Sequence, residues 1–562
     1  MSVIVTKAKE QIKNIIIDAT KSAMNDGSLA TAELTDFTIE VPANRAHGDY
    51  AINAAMVWSR VFRCAPRQIA EAIVNHLNCE DSYIEKCEIA GPGFINLYLS
   101  QKYYAEIVAD TLEKGDDYGK SNYGEGKRVL VEFVSANPTG PMHIGNARGG
   151  ALGDCLAAVM SAAGYYTERE FYINDAGNQI NKFGLSLDLR YLQLYKDGIE
   201  MPEDSYHGED IIAHAKAFAD IHGDSFVEKS EQERRKALVE FALPKNIEGL
   251  ERDLLKYRIK YDTWFRESTL HNNGEAMRII ELLKESGHTY TQEDALWFKA
   301  TDFGCDKDFV LVRANGVPTY VVPDIAYHYN KLVTRKFNKA IDILGADHHG
   351  YVPRLKAALT ALGVDASRLD VVLMQMVRLV RDGEVIKASK RSGKAITLVT
   401  LLDEVPIDAA RFFFNLREPN SHFDFDLDLA VNESNSNPVY YVQYAYARIC
   451  SIIRNLESEG IKNEKYSLEQ LSLLTAPEEK ELILHIAALT DEIVASAKAY
   501  DPAKITHYVQ ELATKFHKFY AACRVKGIDN DLMQARLSLC EACATVIKNV
   551  LTLLKIEAPE KM

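Results

Sequence analysis

The segment VEFVSANPTGPMHIGNARGG, Val131 to Gly150, decides the fold. Arg128 to Val134 clusters β-branched and aromatic residues as a buried strand does, and Ala147 to Ala163 is rich in Ala, Leu and Gly, as a closely packed helix is. The Asn, Pro and Gly between them predict a strand-to-helix turn. Backbone N–H groups at a helix start have no internal partners and the helix dipole is positive there, so such a turn attracts phosphate. His143 and Asn146 are three apart, share a helix face and can both donate hydrogen bonds to a triphosphate. Gly140, Gly145 and Gly149 keep side chains out of its way. A Pro/Gly turn capping an ordinary core helix, with His143 as a packing residue, gives the same short pattern, so the segment needs a second one beside it.

That second pattern is KASKRSGKAIT, Lys387 to Thr397, where Lys387, Lys390, Arg391 and Lys394 crowd together beside Ser392 and Gly393. Most charge runs are solvated surface loops. Taken with the first pattern, however, the pair resembles the HIGH and KMSKS motifs of class I aminoacyl-tRNA synthetases, in the same order and separated by about the length of a nucleotide-binding fold with one insertion.

The wider chain resembles the arginyl-tRNA synthetase family of bacterial type. SANPTGPMHIGNARG is similar to its long form of the first motif, Phe171 to Ile180 to its next strand end, and Asp424 to Ile449 to its passage into the anticodon-binding helices. His47 to Met56 and Gly91 to Asn96 resemble its N-terminal tRNA-contacting domain, and Ile556 to Met562 its C-terminal end. Four positions depart from the pattern. Asn146 stands where the class has its final His, Ala388 replaces the Met of the second motif, and Arg391 replaces its last Ser. Asp210 in YHGEDI replaces the second Tyr of a family pattern.

The resemblance implies arginine activation by ATP, with release of pyrophosphate, followed by transfer to the 3′-terminal adenosine of tRNA(Arg). It assigns triphosphate work to His143, Asn146 and Lys390, with Lys387 and Arg391 assisting and Gly140 and Gly145 leaving room. It also assigns arginine binding to Glu132, Asn137, Tyr320, Asp324 and His348. The physical case is strongest at Glu132, a lone carboxylate ending an apolar run, which is costly to bury unless a cation meets it. That cation could be the substrate guanidinium or a local Lys or Arg in a strand-edge salt bridge. Asp347 and Asp175 could stand near the site or serve as helix N-caps.

In the C-terminal helices, Tyr440, Tyr441, Gln443, Tyr444 and Tyr446 interleave aromatics with an amide on which splayed bases could stack, and Tyr440, Gln443 and Tyr444 are the candidate tRNA contacts. About half of these tyrosines should lie in the core instead.

At 562 residues the chain is too long for one core, and a prior of roughly 150 residues each gives two to four domains. The expected architecture is multidomain α/β. An α+β N-terminal domain over residues 1–112 precedes a Rossmann-like catalytic domain at 113–195 and 290–385, interrupted by an insertion at 196–289. A motif loop and connecting region at 386–433 leads into an all-α anticodon-binding domain at 434–562. Strands are expected at 128–134, 167–173, 309–313, 319–322, 339–344 and 369–374.

Nine scattered cysteines without paired Cys-x-x-Cys sets argue against a disulfide framework and a structural zinc site. The resemblance implies ATP as a substrate with Mg²⁺, and no metal-ligand residues are assigned. No leader or membrane span is evident, so a cytoplasmic enzyme is expected, and the resemblance implies a monomer. The net charge of −15 is awkward for an RNA binder, unless local clusters such as Arg378, Arg381, Lys387, Lys390 and Arg391 meet the phosphates. A class I synthetase for glutamate, cysteine or lysine, a pantothenate-type ligase and a non-catalytic RNA-binding paralogue are the alternatives to be excluded.

Overall fold

The computed structural model describes residues 3–42, 44, 47–386, 396–462 and 466–562. Its centre is a five-stranded, wholly parallel sheet in the spatial order Leu369–Met374, Lys339–Gly345, Arg128–Glu132, Tyr166–Ile173, Thr263–Arg266. From Arg128–Glu132 the chain moves outward in one direction through Tyr166–Ile173 to Thr263–Arg266. It then returns to the other side of its starting strand. Strand order therefore reverses between Arg128–Glu132 and Lys339–Gly345, and in open parallel sheets ligands bind in the crevice beyond the strand ends at that point.

The helix Ile144–Ala162 forms the crossover between the first two strands, and it packs closely because of its glycines. A Cβ on Gly153 would come within 2.1 Å of the Phe133 ring, and one on Gly150 within 2.7 Å of Ile259. The helix is buried on nearly all sides, from Ala147 to Ala162. Its apolar character is therefore not amphipathic.

Two strand expectations change. Thr319–Val322 is not a strand. Tyr320 instead caps the helix Val321–Tyr329, and Pro323 is accommodated in its first turn, where the missing N–H has no helical partner to lose. Phe309–Val312 belongs to a separate antiparallel sheet with Ala295–Phe298 and Thr289–Gln292. The fifth central strand, Thr263–Arg266, comes from the segment 196–289, which also supplies the long helices Glu209–His222 and Glu231–Lys256.

The N-terminal region builds a four-stranded antiparallel sheet, with the helices Val3–Asn25, Ala54–Phe62, Pro66–Asn75 and Gln101–Lys114. From Pro438 onward the chain is helical. Its last helix, Asn530–Leu554, is apolar enough and long enough to cross a bilayer by composition alone, but two thirds of that stretch is buried within the helical bundle. This bundle is latched to the catalytic sheet by Arg411. Its fully buried guanidinium donates to Asp154 on the central helix and to the carbonyls of Tyr257 and Leu554.

Candidate active site

The site begins with two carboxylates side by side. Glu132 and Asp342 are register partners on the two strands flanking the switch point, and both are buried. Two adjacent buried anions in a parallel sheet require a cation between them. Lys331 supplies it, with Nζ 2.5 Å from Glu132 Oε2 and 2.8 Å from Asp342 Oδ1. Its side chain has no solvent exposure, and the ammonium lies 4.1 Å from the Tyr327 ring centroid. Lys331 sits in a single π-helical turn, Asn330–Thr334, that continues the helix Val321–Tyr329. Such turns are frequent at functional sites.

His328 joins the same cluster. Its Nε2 is 2.6 Å from Asp342 Oδ2, while Nδ1 faces the Asp324 carbonyl at 2.8 Å and the Asp324 carboxylate at 3.2 Å. Both ring nitrogens meet only acceptors, so both must carry hydrogen and the ring is an imidazolium. Burial and the Lys331 charge oppose this, but Asp324 and Asp342 outweigh them and raise the histidine pKa to about 10. The reverse balance holds Asp342 below the usual carboxylate range: burial works against ionisation, and Lys331 and His328 prevail.

The strand end itself is strained. Val134 and Ser135, two and three residues after Glu132, have φ of 70° and 41°. Two successive non-glycine residues in this region, one of them β-branched, are held only where the surroundings over-determine them. Ser135 Oγ donates to Glu132 Oε1 at 2.8 Å and accepts from the Tyr172 N–H at 3.2 Å, fixing the carboxylate in place.

A cavity of about 1260 Å³ opens over these strand ends. Glu132, Tyr320, Asp324 and His348 line it, as do Tyr172, Glu267, His328 and Asp342. Tyr320 is 72% exposed at the rim, with its ring 6.1 Å from that of Tyr351. Asp324 is half-buried in the wall; burial opposes its ionisation, but His328, Tyr351 and Lys331 hold its pKa below the ordinary carboxylate value.

Asn137 is exposed in the turn after the strand and is not among the lining residues, and neither is Asp347. Asp175 has a capping task. Its carboxylate accepts from the Ser268 N–H and hydroxyl, both at 2.8 Å, at the start of the helix Glu267–Asn272. Sequence reasoning missed Asp342, His328 and Lys331. Asp342 carried the same signal as Glu132, a lone acid in the apolar run KAIDILG, whereas nothing in YNKLVTRK marked Lys331 as buried.

The nucleotide motif forms the N-terminus of the central helix. His143 is its exposed N-cap residue, and its backbone N–H donates to Asn146 Oδ1 at 3.0 Å. Asn146 thus uses its carbonyl to close the helix start, a geometric role, and keeps its amide N–H groups available. A Cβ on Gly145 would meet nothing within 4 Å, and one on Gly140 only Asp210 at 3.7 Å.

Lys387, Lys390 and Arg391 lie outside the described residues. The segment that follows them does not: Ile144 N–H donates to Ile396 O at 3.2 Å, Leu398 N–H to Met142 O at 2.9 Å, and His143 and Thr397 form an antiparallel bridge. The second motif's chain thus returns directly onto the first motif. Arg378 and Arg381, expected in a cluster that meets the RNA phosphates, are paired with Asp424 and Glu404.

Of the C-terminal candidates, Tyr440 and Tyr444 are half-buried and their rings stack at 6.4 Å and 6°. Tyr444 continues onto His517, and the Arg448 guanidinium lies over both Tyr444 and Tyr520. Tyr441 and Tyr446 pack against the core. Gln443 has no free donor for RNA along this face, because its amide nitrogen is bound to Asp408 at 2.8 Å and to the Glu557 carbonyl at 2.9 Å.

A Rossmann-like sheet, a helix start at its switch point, the chain at Ile396 to Leu398 pinned to that start and a helical bundle behind them define a class I aminoacyl-tRNA synthetase. Three family models match in sequence order: the arginyl tRNA synthetase N-terminal domain over 7–99, the class I (R) catalytic domain over 107–434 and the DALR anticodon-binding domain over 442–562. The chain belongs to the arginyl-tRNA synthetase family.

It is 54% identical over 562 residues to the arginine–tRNA ligase of Caldanaerobacter subterraneus subsp. tengcongensis, covering 100% of both chains. It is 46% identical over 555 residues to that of Bacillus subtilis, covering 98% of this chain and 99% of the relative. The fold matches the arginyl-tRNA synthetase structure of Thermus thermophilus with a TM-score of 0.73 at 21% identity, over 97% of this chain and 99% of that one. The enzyme ligates arginine to tRNA using ATP.

Proposed function

We propose that the cavity over the strand ends holds arginine, and that the Met142 to Asn146 turn and the Lys387 to Thr397 segment hold ATP beside it. The observation that carries this reading is the buried pairing of Glu132 with Asp342 at the switch point, beneath a cavity whose wall also presents Asp324. A guanidinium is a planar five-donor fork that carboxylates in fixed positions recognise well. Tyr320 covers the side chain at the rim, and His348 completes the arginine pocket from the same lining.

The arginine carboxylate then attacks the α-phosphate in line, pyrophosphate leaves, and the adenylate's acyl carbon is taken by a 3′-terminal ribose hydroxyl with release of AMP. No enzyme nucleophile is needed. The protein's work is positioning and stabilising charge on the phosphates, by His143 and Asn146 at the helix start and by Lys390, Lys387 and Arg391 from the second motif. Magnesium would enter with ATP as part of the substrate and would neutralise phosphate charge there; the carboxylate pair Glu132 and Asp342 is already occupied by Lys331. Lysine, a point-charge cation, leaves part of a fork-shaped pocket unpaired, so selection needs no editing site.

The Tyr440, Tyr444 and Arg448 stack is the surface offered to unstacked tRNA bases. The chain works as a cytoplasmic monomer, divided near residues 112 and 434 into tRNA-contacting, catalytic and anticodon-binding parts. Pyrophosphate exchange with arginine and with lysine, each with and without tRNA, tests the reading. Arginine-only exchange supports it, and exchange with lysine at a comparable rate refutes it.

A further inference from the structure

The carboxylates of the arginine wall are not all available to the substrate. Among the described residues, Glu132, His328 and Asp342 offer ligand atoms within 4.8 Å of one another, close enough to surround a metal ion. The position is filled from within, by the Lys331 ammonium bonded to both carboxylates. On the same helix face, His328 spans Asp342 and Asp324 with both ring nitrogens donating. Glu170, the next buried acid along the sheet, is closed off separately by Arg335 at 2.5 Å and the Tyr327 hydroxyl at 2.7 Å. Glu267 and Arg313, which also line the cavity, carry opposite charges. Three carboxylates of the wall, Glu132, Asp342 and Asp324, therefore face two internal cations, and the wall is left with one negative charge.

We infer that Lys331 and His328 are positioning residues that set the enzyme's preference for a cationic amino acid, by fixing the net charge of the cavity wall at minus one and pinning Glu132 and Asp324 in place. The inference rests on the reading of this cavity as the arginine site. In a buried setting an uncompensated charge is costly, so a wall carrying one excess anion accepts one guanidinium and disfavours its neutral isostere. A wall made neutral by losing one carboxylate, with both cations retained, should lose that preference. Removing one internal cation as well should restore it.

The test uses the full-length enzyme in tRNA-supplemented pyrophosphate exchange, with citrulline, the neutral isostere of arginine, as the competing probe. ATP KM and thermal unfolding are followed in parallel. Asp342→Asn is expected to raise arginine KM about tenfold or more and to shift the arginine-to-citrulline preference about tenfold toward citrulline, with ATP KM within about twofold. The double variant Lys331→Met with Asp342→Asn is expected to recover both quantities to within about threefold of wild type.

A double variant no better than Asp342→Asn overturns the inference while leaving the cavity as the arginine site. Unchanged arginine KM in Asp342→Asn overturns the cavity reading itself, and the inference with it. Should Asp342→Asn not fold, the double variant is compared with wild type directly: selectivity within about threefold supports charge balance, and a tenfold loss in a folded protein refutes it.

Discussion

Ile144 donates its backbone N–H to the carbonyl oxygen of Ile396 at 3.2 Å. These two residues are far apart in sequence, and the bond joins the first turn of the nucleotide helix to the chain leaving the Lys387 to Ala395 segment. Leu398 N–H returns the contact to Met142 O at 2.9 Å. The turn at Met142 to Ile144 and the chain at Ile396 to Leu398 are thus held together by main-chain bonds, which a proline can remove.

Leu398 is the first residue of the helix Leu398–Glu404, a position where proline fits, and Thr397 already has the extended conformation that a following proline requires. Leu398→Pro should therefore remove the bond to Met142 and keep the helix. ATP KM is expected to rise about fivefold or more relative to Leu398→Ala, which loses the same packing but keeps the N–H, from a lost hydrogen bond of about 1 kcal/mol. Equal ATP KM in the two variants would show that the junction does not shape the nucleotide site.

The imidazolium of His328 makes stability depend on pH. Its pKa is raised from 6.5 to about 10 in the fold, against burial and the Lys331 charge and in favour of Asp324 and Asp342. A raised pKa stabilises fully below the unfolded value and is lost as pH rises through the folded one. The melting temperature of wild type, relative to His328→Asn, should therefore fall between about pH 6.5 and pH 10. A difference that stays constant over that window would mean the ring is neutral.

Gly153 lies where a Cβ would stand 2.1 Å from the Phe133 ring, in the layer that seats the nucleotide helix on the strand ending in Glu132. Gly153→Ala should destabilise by about 1–3 kcal/mol through overpacking, read from urea unfolding at constant m-value. It should also lower exchange activity at permissive temperature, because both reactant sites hang on that helix and strand.

Stacking on the C-terminal face makes its own prediction. Tyr444→Ala should raise tRNA KM about tenfold, from a base-stacking loss of about 1–3 kcal/mol, with arginine and ATP KM unchanged. Gln443→Ala should act differently, because its amide ties the bundle to Asp408 and Glu557. Its effect belongs in thermal stability.

Much of this was legible in the sequence because burial on both faces of a parallel sheet writes apolar runs. Arg128–Glu132, Lys339–Gly345 and Leu369–Met374 stand within two residues of their expected bounds. TYVV misled for the same reason: Val321 and Val322 are buried, but in the first turn of a helix. Thr263–Arg266 went unread because four residues among long polar helices carry too little pattern. Glu132 was legible as a buried acid in need of a cation, and both cations considered for it have a place in the account: Lys331 inside the wall and the guanidinium in the cavity. What no local pattern could show was the pairing across the switch point, since Glu132, Lys331 and Asp342 meet only through topology.

Arginine binding in the cavity is tested most directly at Asp324, the half-buried carboxylate of its wall. The direct measurement is kcat/KM for arginine in tRNA-supplemented pyrophosphate exchange by Asp324→Asn, with ATP KM followed alongside. A loss of about a hundredfold or more for arginine is expected, the cost of about 3 kcal/mol or more for breaking a buried charge pair, with ATP KM within about threefold. Unchanged kcat/KM for arginine in a folded variant would contradict the placement of arginine in this cavity.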